Sequence, residues 1–215
     1  MKIIITVILA AVMMCFAEMT LKEAYDSAGP GEGYDKLIIL EKGKVYKGGL
    51  FIGRFFNPVK LNFEPADIKS VKIKGNGAII DLMNGQIHTA YTDNKLDIDS
   101  CVIINGTVRY NGFPEGEVYV VPNGTVKNVT FYEPVDFGIR LEGAGRNTVL
   151  RNNLVANTVN TGGDFNQYHS TPTDIMRTGT SISFSIFSWY GIADIADNWS
   201  YNALYDKPLD HFSLL

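Results

Sequence analysis

The feature that most constrains this chain is an asparagine-centred phrase that returns at a fixed interval. Asn152-Asn153-Leu154-Val155-Ala156-Asn157 and Asp197-Asn198-Trp199-Ser200-Tyr201-Asn202 both contain Asn, an apolar residue, two variable residues and Asn. Lys127-Asn128-Val129-Thr130-Phe131 is a fainter copy. Asn128 and Asn153 are 25 residues apart, and Asn153 and Asn198 are 45 apart, close to twice that. A unit of about 22–25 residues containing a short strand is the signature of a stacked solenoid. One coil cannot bury its own apolar face, so coils must pack on one another.

The N-terminus reads as an address rather than as structure. Lys2 precedes the apolar run Ile3–Met14, which ends small-x-small at Cys15-Phe16-Ala17. That layout predicts a signal peptide over 1–17 and a mature domain over 18–215. The expected location is secreted, periplasmic or cell-surface, and the short signal leans bacterial. Past the signal no membrane-length apolar run occurs. The net charge of −4 is interspersed without a basic stripe, which argues against nucleic acid as partner. Cys101 then stands alone in Cys101-Val102-Ile103-Ile104 and reads as a small core residue.

Short strands and turns fill the rest. Thr20-Leu21-Lys22-Glu23 is a capping box, and a helix of about nine residues should end at Gly29-Pro30-Gly31. Leu37–Leu40, Val71–Lys74, Ile79–Asp81, Cys101–Ile104 and Thr107–Tyr110 read as strands. Thr125-Val126 and Thr148-Val149 open similar strands 23 residues apart. Segments 84–98 and 158–178 are more polar and less periodic, and read as loops leaving the stack. The 21 Gly suit a turn-rich all-β chain. Small turns in place of crossover helices, at this period, predict a parallel β-helix. The alternative is an antiparallel sandwich. The periodic Asn favours the helix, because amides stacked coil over coil can bond to one another.

These segments resemble the pectin-lyase-like superfamily of right-handed parallel β-helices. Leu21–Ala28 is similar to its N-terminal capping helix. Gly33–Tyr46 is similar to its first coil, and Gly75-Asn76-Gly77-Ala78-Ile79-Ile80-Asp81 to its second. The resemblance spans roughly 20–204. It implies an all-β solenoid with a short N-terminal helix. No C-terminal counterpart of that helix is legible, which leaves end-to-end self-association or a longer coil beyond Leu215 as expectations. It further implies action on a polysaccharide, by a lyase ahead of a glycoside hydrolase, or else a non-catalytic adhesin, glycan-binding module or stalk. No catalytic motif of the family is matched by residues here.

Elimination on a uronate polymer needs a base, a cation to neutralise the carboxylate and a proton donor. Arg177 and Arg151 are the candidate bases, and His169 the candidate acid. Asp194 and Asp197, with Asp174, are the candidate carboxylates for calcium, which takes oxygen ligands. Stacking would place Arg151 about two coils, or roughly 10 Å, from Asp194. Tyr190 and Tyr168 are the candidate sugar-stacking residues. The competing reading makes these charges ordinary solvated turn residues.

Overall fold

The computed structural model describes residues 19–57, 59–60, 62–112, 122–134, 137–142, 148–156, 186–189, 194–196, 198–202 and 207–212. The chain opens with β1 (Met19–Thr20) and α1 (Leu21–Ser27). It then lays down β2 (Lys36–Ile39), β3 (Val45–Lys47) and β4 (Leu50–Asn57), with β5 (Asn62–Asp67) folded back on β4. The triplet recurs as β6 (Val71–Lys74), β7 (Ile79–Asp81) and β8 (Gln86–Ala90), then β9 (Lys95–Asp99), β10 (Val102–Ile104) and β11 (Thr107–Asn111). It continues as β12 (Asn123–Lys127), β13 (Thr130–Tyr132) and β14 (Ile139–Glu142), then β15 (Thr148–Arg151), β16 (Leu154–Ala156) and β17 (Ile186–Trp189). The last strands are β18 (Asp194–Ala196), β19 (Asn198–Asn202) and β20 (Lys207–Phe212).

Members of a triplet go to three different sheets. Sheet 1 runs β2-β6-β9-β12-β15-β18, sheet 2 runs β1-β3-β7-β10-β13-β16-β19-β20, and sheet 3 runs β5-β4-β8-β11-β14-β17. Pairing is parallel throughout, apart from the hairpins β4–β5 and β19–β20. Three mostly parallel sheets filled in rotation fit a β-helix or solenoid, and they rule out the antiparallel sandwich.

Each sheet sends one face into a common core, and like residues meet across coils. Ile38, Ile73, Ile98, Val126 and Leu150 lie opposite one another in sheet 1. Tyr46, Ile80, Ile103, Phe131 and Val155 do so in sheet 2. Leu50, Ile87, Val108 and Ile139 do so in sheet 3. None is more than 4% exposed. Burying each contributes ~1.5–3 kcal/mol. β-Branched residues dominate these columns because they pack well on a pleated, twisted surface. Cys101 is one of the buried core residues, and burial pushes its thiol up to about 12.

At one end α1 lies against this core through Leu21, Ala24 and Tyr25, the i, i+3, i+4 face of a helix. Its capping box is complete: Glu23 N donates to Thr20 Oγ1, and Thr20 N donates to Glu23 Oε2 at 2.8 Å. Lys36 Nζ donates to Ala28 O just past the last turn, at 2.6 Å.

The turn from sheet 1 to sheet 2 carries a left-handed residue in each coil: Ser100, Asn128 and Asn152, with φ of 59°, 56° and 50°. Asn tolerates this region better than other side chains with a Cβ. Asn152 Nδ2 donates to Asn128 Oδ1 at 2.8 Å, and Asn128 Nδ2 donates to Asp99 Oδ1 at 3.0 Å. The asparagine ladder therefore links Asn128 to Asn152, not to Asn153. Asn153 occupies the next, buried position, beside Val129. The Thr-Val match is displaced likewise: Thr125 lies opposite Val149, and Gly124 opposite Thr148, 24 residues on. Matching by residue name missed this one-residue offset because the inward residues, Val126 and Leu150, fix the pairing.

Two other expectations change. The 45-residue interval is one coil, since β15 pairs directly with β18 and β16 with β19. Residues 86–90 and 95–99, expected in a loop, are β8 and β9. Ile87, Thr89, Leu96 and Ile98 point inward there, and the polar residues between them masked the alternation.

Candidate functional site

The outward side of sheet 3 gathers cationic side chains in a line. Three strands carry an alternating triplet with the middle residue facing out: Ile87-His88-Thr89, Val108-Arg109-Tyr110 and Ile139-Arg140-Leu141. The flanking residues of each are buried. Parallel register then sets Phe51, His88, Arg109, Arg140 and Phe187 side by side across five strands. Neighbours in such a column are one strand spacing apart, ~4.8 Å. The next column holds Gly53, Ala90, Asn111, Glu142 and Trp189 by register. Gly53 is required where it stands, because a Cβ there would lie 2.0 Å from Ala90 O.

Packing sets the character of these groups. The Phe51 ring meets His88 edge-to-face, with centroids 5.2 Å apart and planes at 84°. The Arg140 guanidinium lies over the Phe137 ring at 5.8 Å. Burial pushes the His88 imidazole down to about 3, and the charges of Arg109 and Arg140 push the same way. His88 is therefore neutral at physiological pH, and its Nε2 is buried without a hydrogen-bond partner. Two guanidiniums and a neutral imidazole in a row form a surface suited to carboxylate, sulfate or phosphate oxygens.

Of the residues singled out from sequence, Arg151 and Asp194 lie in sheet 1. Arg151 ends β15 in sheet 1, in an outward column with Ile39, Lys74, Asp99, Lys127 and Ala196. Its Nη1 donates to Leu150 O at 3.2 Å. Charges of both signs compensate within that column, as in the Lys127–Asp99 pair at 3.2 Å. Burial opposes ionisation of Asp99, yet hydrogen bonds from Ser100, Asn128 and Lys127 hold its carboxyl below the usual range. Asp194 lies opposite Val149 in β18, so it shares sheet 1 with Arg151 one strand away rather than two. Arg177, His169, Tyr168, Tyr190, Asp174 and Asp197 lie outside the described residues. Among the described residues no three His, Cys, Asp or Glu side chains are grouped as metal ligands.

Sequence reasoning missed His88, Arg109 and Arg140, although a signal was present. Each is a cationic or imidazole residue between two inward-facing residues in a coil of its own. Intervals of 21 residues from His88 to Arg109 and 31 from Arg109 to Arg140 hid the repetition. No protein-family model matches the chain, and neither a curated protein nor a solved structure matches it.

Proposed function

We propose that this chain is a right-handed parallel β-helix of the pectin-lyase-like kind, exported through residues 1–17, that acts on an acidic polysaccharide along sheet 3. Right-handedness rests on the strong general preference of parallel crossovers. The observation that carries the functional reading is the in-register column His88–Arg109–Arg140 on one face of a parallel sheet. A polymer with acid groups along its length would meet the guanidiniums of Arg109 and Arg140 on adjacent strands. Of the parts that elimination needs, the column would supply the cations that neutralise the uronate carboxylate and stabilise the developing enolate-like charge. Hydrolysis calls for two carboxylates flanking the scissile bond. Among the described residues no three carboxylate, imidazole or thiol side chains group as a metal site, and calcium is varied in the assay.

The test is a screen of uronate polymers with and without calcium, following the absorbance of unsaturated sugar ends. Arg109→Ala and Arg140→Ala, made separately, should each lower kcat/KM at least about tenfold while the far-UV spectrum is unchanged. The second reading is a non-catalytic glycan-binding module. It is favoured if the folded protein binds acid polymers, loses binding in the same variants, and releases no product. A folded chain that neither cleaves nor binds any polyanion overturns both.

A further inference from the structure

We infer that the arginine column selects polysaccharides whose acid groups are set apart by neutral sugars, and disfavours a chain with an acid on every ring. This deepens the acid-polymer reading and rests on it. The order of residues along the column carries the inference: Phe51, His88, Arg109, Arg140 and Phe187 across five strands. Its two cations occupy adjacent strands, β11 and β14. On one side of them stand the neutral imidazole of His88 and then Phe51, which is 38% exposed with its ring against His88. On the other side register places Phe187. The flanking columns do not lengthen the positive stretch. One holds Gln86 and Thr107, and the other holds Ala90, Asn111 and, two residues after Arg140, the acid Glu142. Parallel pairing of β4 with β8 ends at Gly53, and Arg54 lies beyond it in the hairpin with β5. The residue opposite Gly53 on β5 is another acid, Asp67, which accepts from the Tyr25 hydroxyl and lies 3.7 Å from Lys69.

Spacing turns this order into a preference. A pyranose ring is about as long as one strand spacing, ~4.8 Å, so a chain lying along the column sets roughly one ring over each strand. Two guanidiniums one spacing apart can close on a single carboxylate from both sides. If the next rings also carried acids, those groups would fall over His88 and Phe51, or over the Phe187 position. There they would lose water and gain no counter-charge. A neutral ring at the same place instead lays its C–H face on Phe51 and keeps its hydroxyls in solvent. Phe51 is thus the specificity residue, and Arg109 and Arg140 hold the acid.

The experiment is affinity gel electrophoresis of the full chain through two sets of polymers at equal uronate concentration. Polygalacturonate and polymannuronate carry an acid on every ring; rhamnogalacturonan, hyaluronan and unsulfated chondroitin alternate acid and neutral rings. At least one alternating polymer should retard the protein at a tenfold lower concentration than either homopolymer. Phe51→Ala should weaken binding of that polymer about tenfold and leave polygalacturonate within about twofold, whereas Phe51→Arg should strengthen polygalacturonate. Phe51 is exposed, so both variants should keep the parent circular dichroism. Arg109→Ala should weaken both sets, which reports on the acid-polymer reading alone. Homopolymers bound as tightly as the alternating set, or Phe51→Ala acting on both sets equally or on neither, overturn this inference and leave that reading standing. A folded chain that binds no polymer of either set overturns both.

Discussion

Asn152 and Asn153 are neighbours in the chain and do different work. Asn152 is exposed and bonds sideways to Asn128. Asn153 is 1% exposed; its Oδ1 accepts from Val129 N at 3.1 Å and its Nδ2 donates to Val126 O at 2.9 Å. Replacing it strands a buried donor and a buried acceptor. Asn153→Ala should therefore cost ~2–4 kcal/mol in urea unfolding, and Asn152→Ala ~1 kcal/mol or less. His88 makes a second prediction at this scale. Its folded pKa, about 3, lies below the ordinary 6.5, so the unfolded chain binds the extra proton first as pH falls. Stability from this group is complete above about pH 6.5 and drains away toward pH 3, at up to about 1.4 kcal/mol per pH unit. Denaturation midpoints measured across that window should flatten in His88→Gln.

Strands and turns set tolerances that single contacts do not reveal. Gly124 sits in β12 where a Cβ would lie 1.8 Å from Leu96 O of the paired strand β9. Gly124→Ala should force the coils apart and cost more than ~3 kcal/mol, or abolish folding. Gly43, with φ of 74° and open space around it, should lose only ~1–2 kcal/mol as Ala. Thermal melts of the two variants compare clash with backbone preference. The α1 capping box was legible because it is local, four residues in sequence bonding to themselves. Strand existence was legible where inward aliphatic residues were not outnumbered by charged ones; β9 was not, because Lys95, Asp97 and Asp99 alternate with Leu96 and Ile98. β8 was not, because Thr89 occupies an inward position and reads as polar. Coil pairing was legible only to within one residue, since it depends on which side of a strand faces the core.

Across the whole molecule, stability in a stack is a sum of coils and their interfaces. Amide hydrogen exchange should be slowest in β6, β9 and β12, which have a neighbour on both sides, and faster in β2 at the edge of sheet 1. The arginine column escaped sequence reading for a reason of scale. It exists only after coils of unequal length are brought into register, and no local window contains it. The coil from β15 to β18 spans 45 residues after a preceding coil of 24, and the strand pairing continues in step. The amide ladder has a sense as well as a spacing. Asn152 gives its hydrogen to Asn128, and Asn128 gives one to Asp99. Each later layer arrives carrying the hydrogen, and the layer already laid down supplies the lone pair. Winding that begins at the N-terminus always finds a finished template to copy.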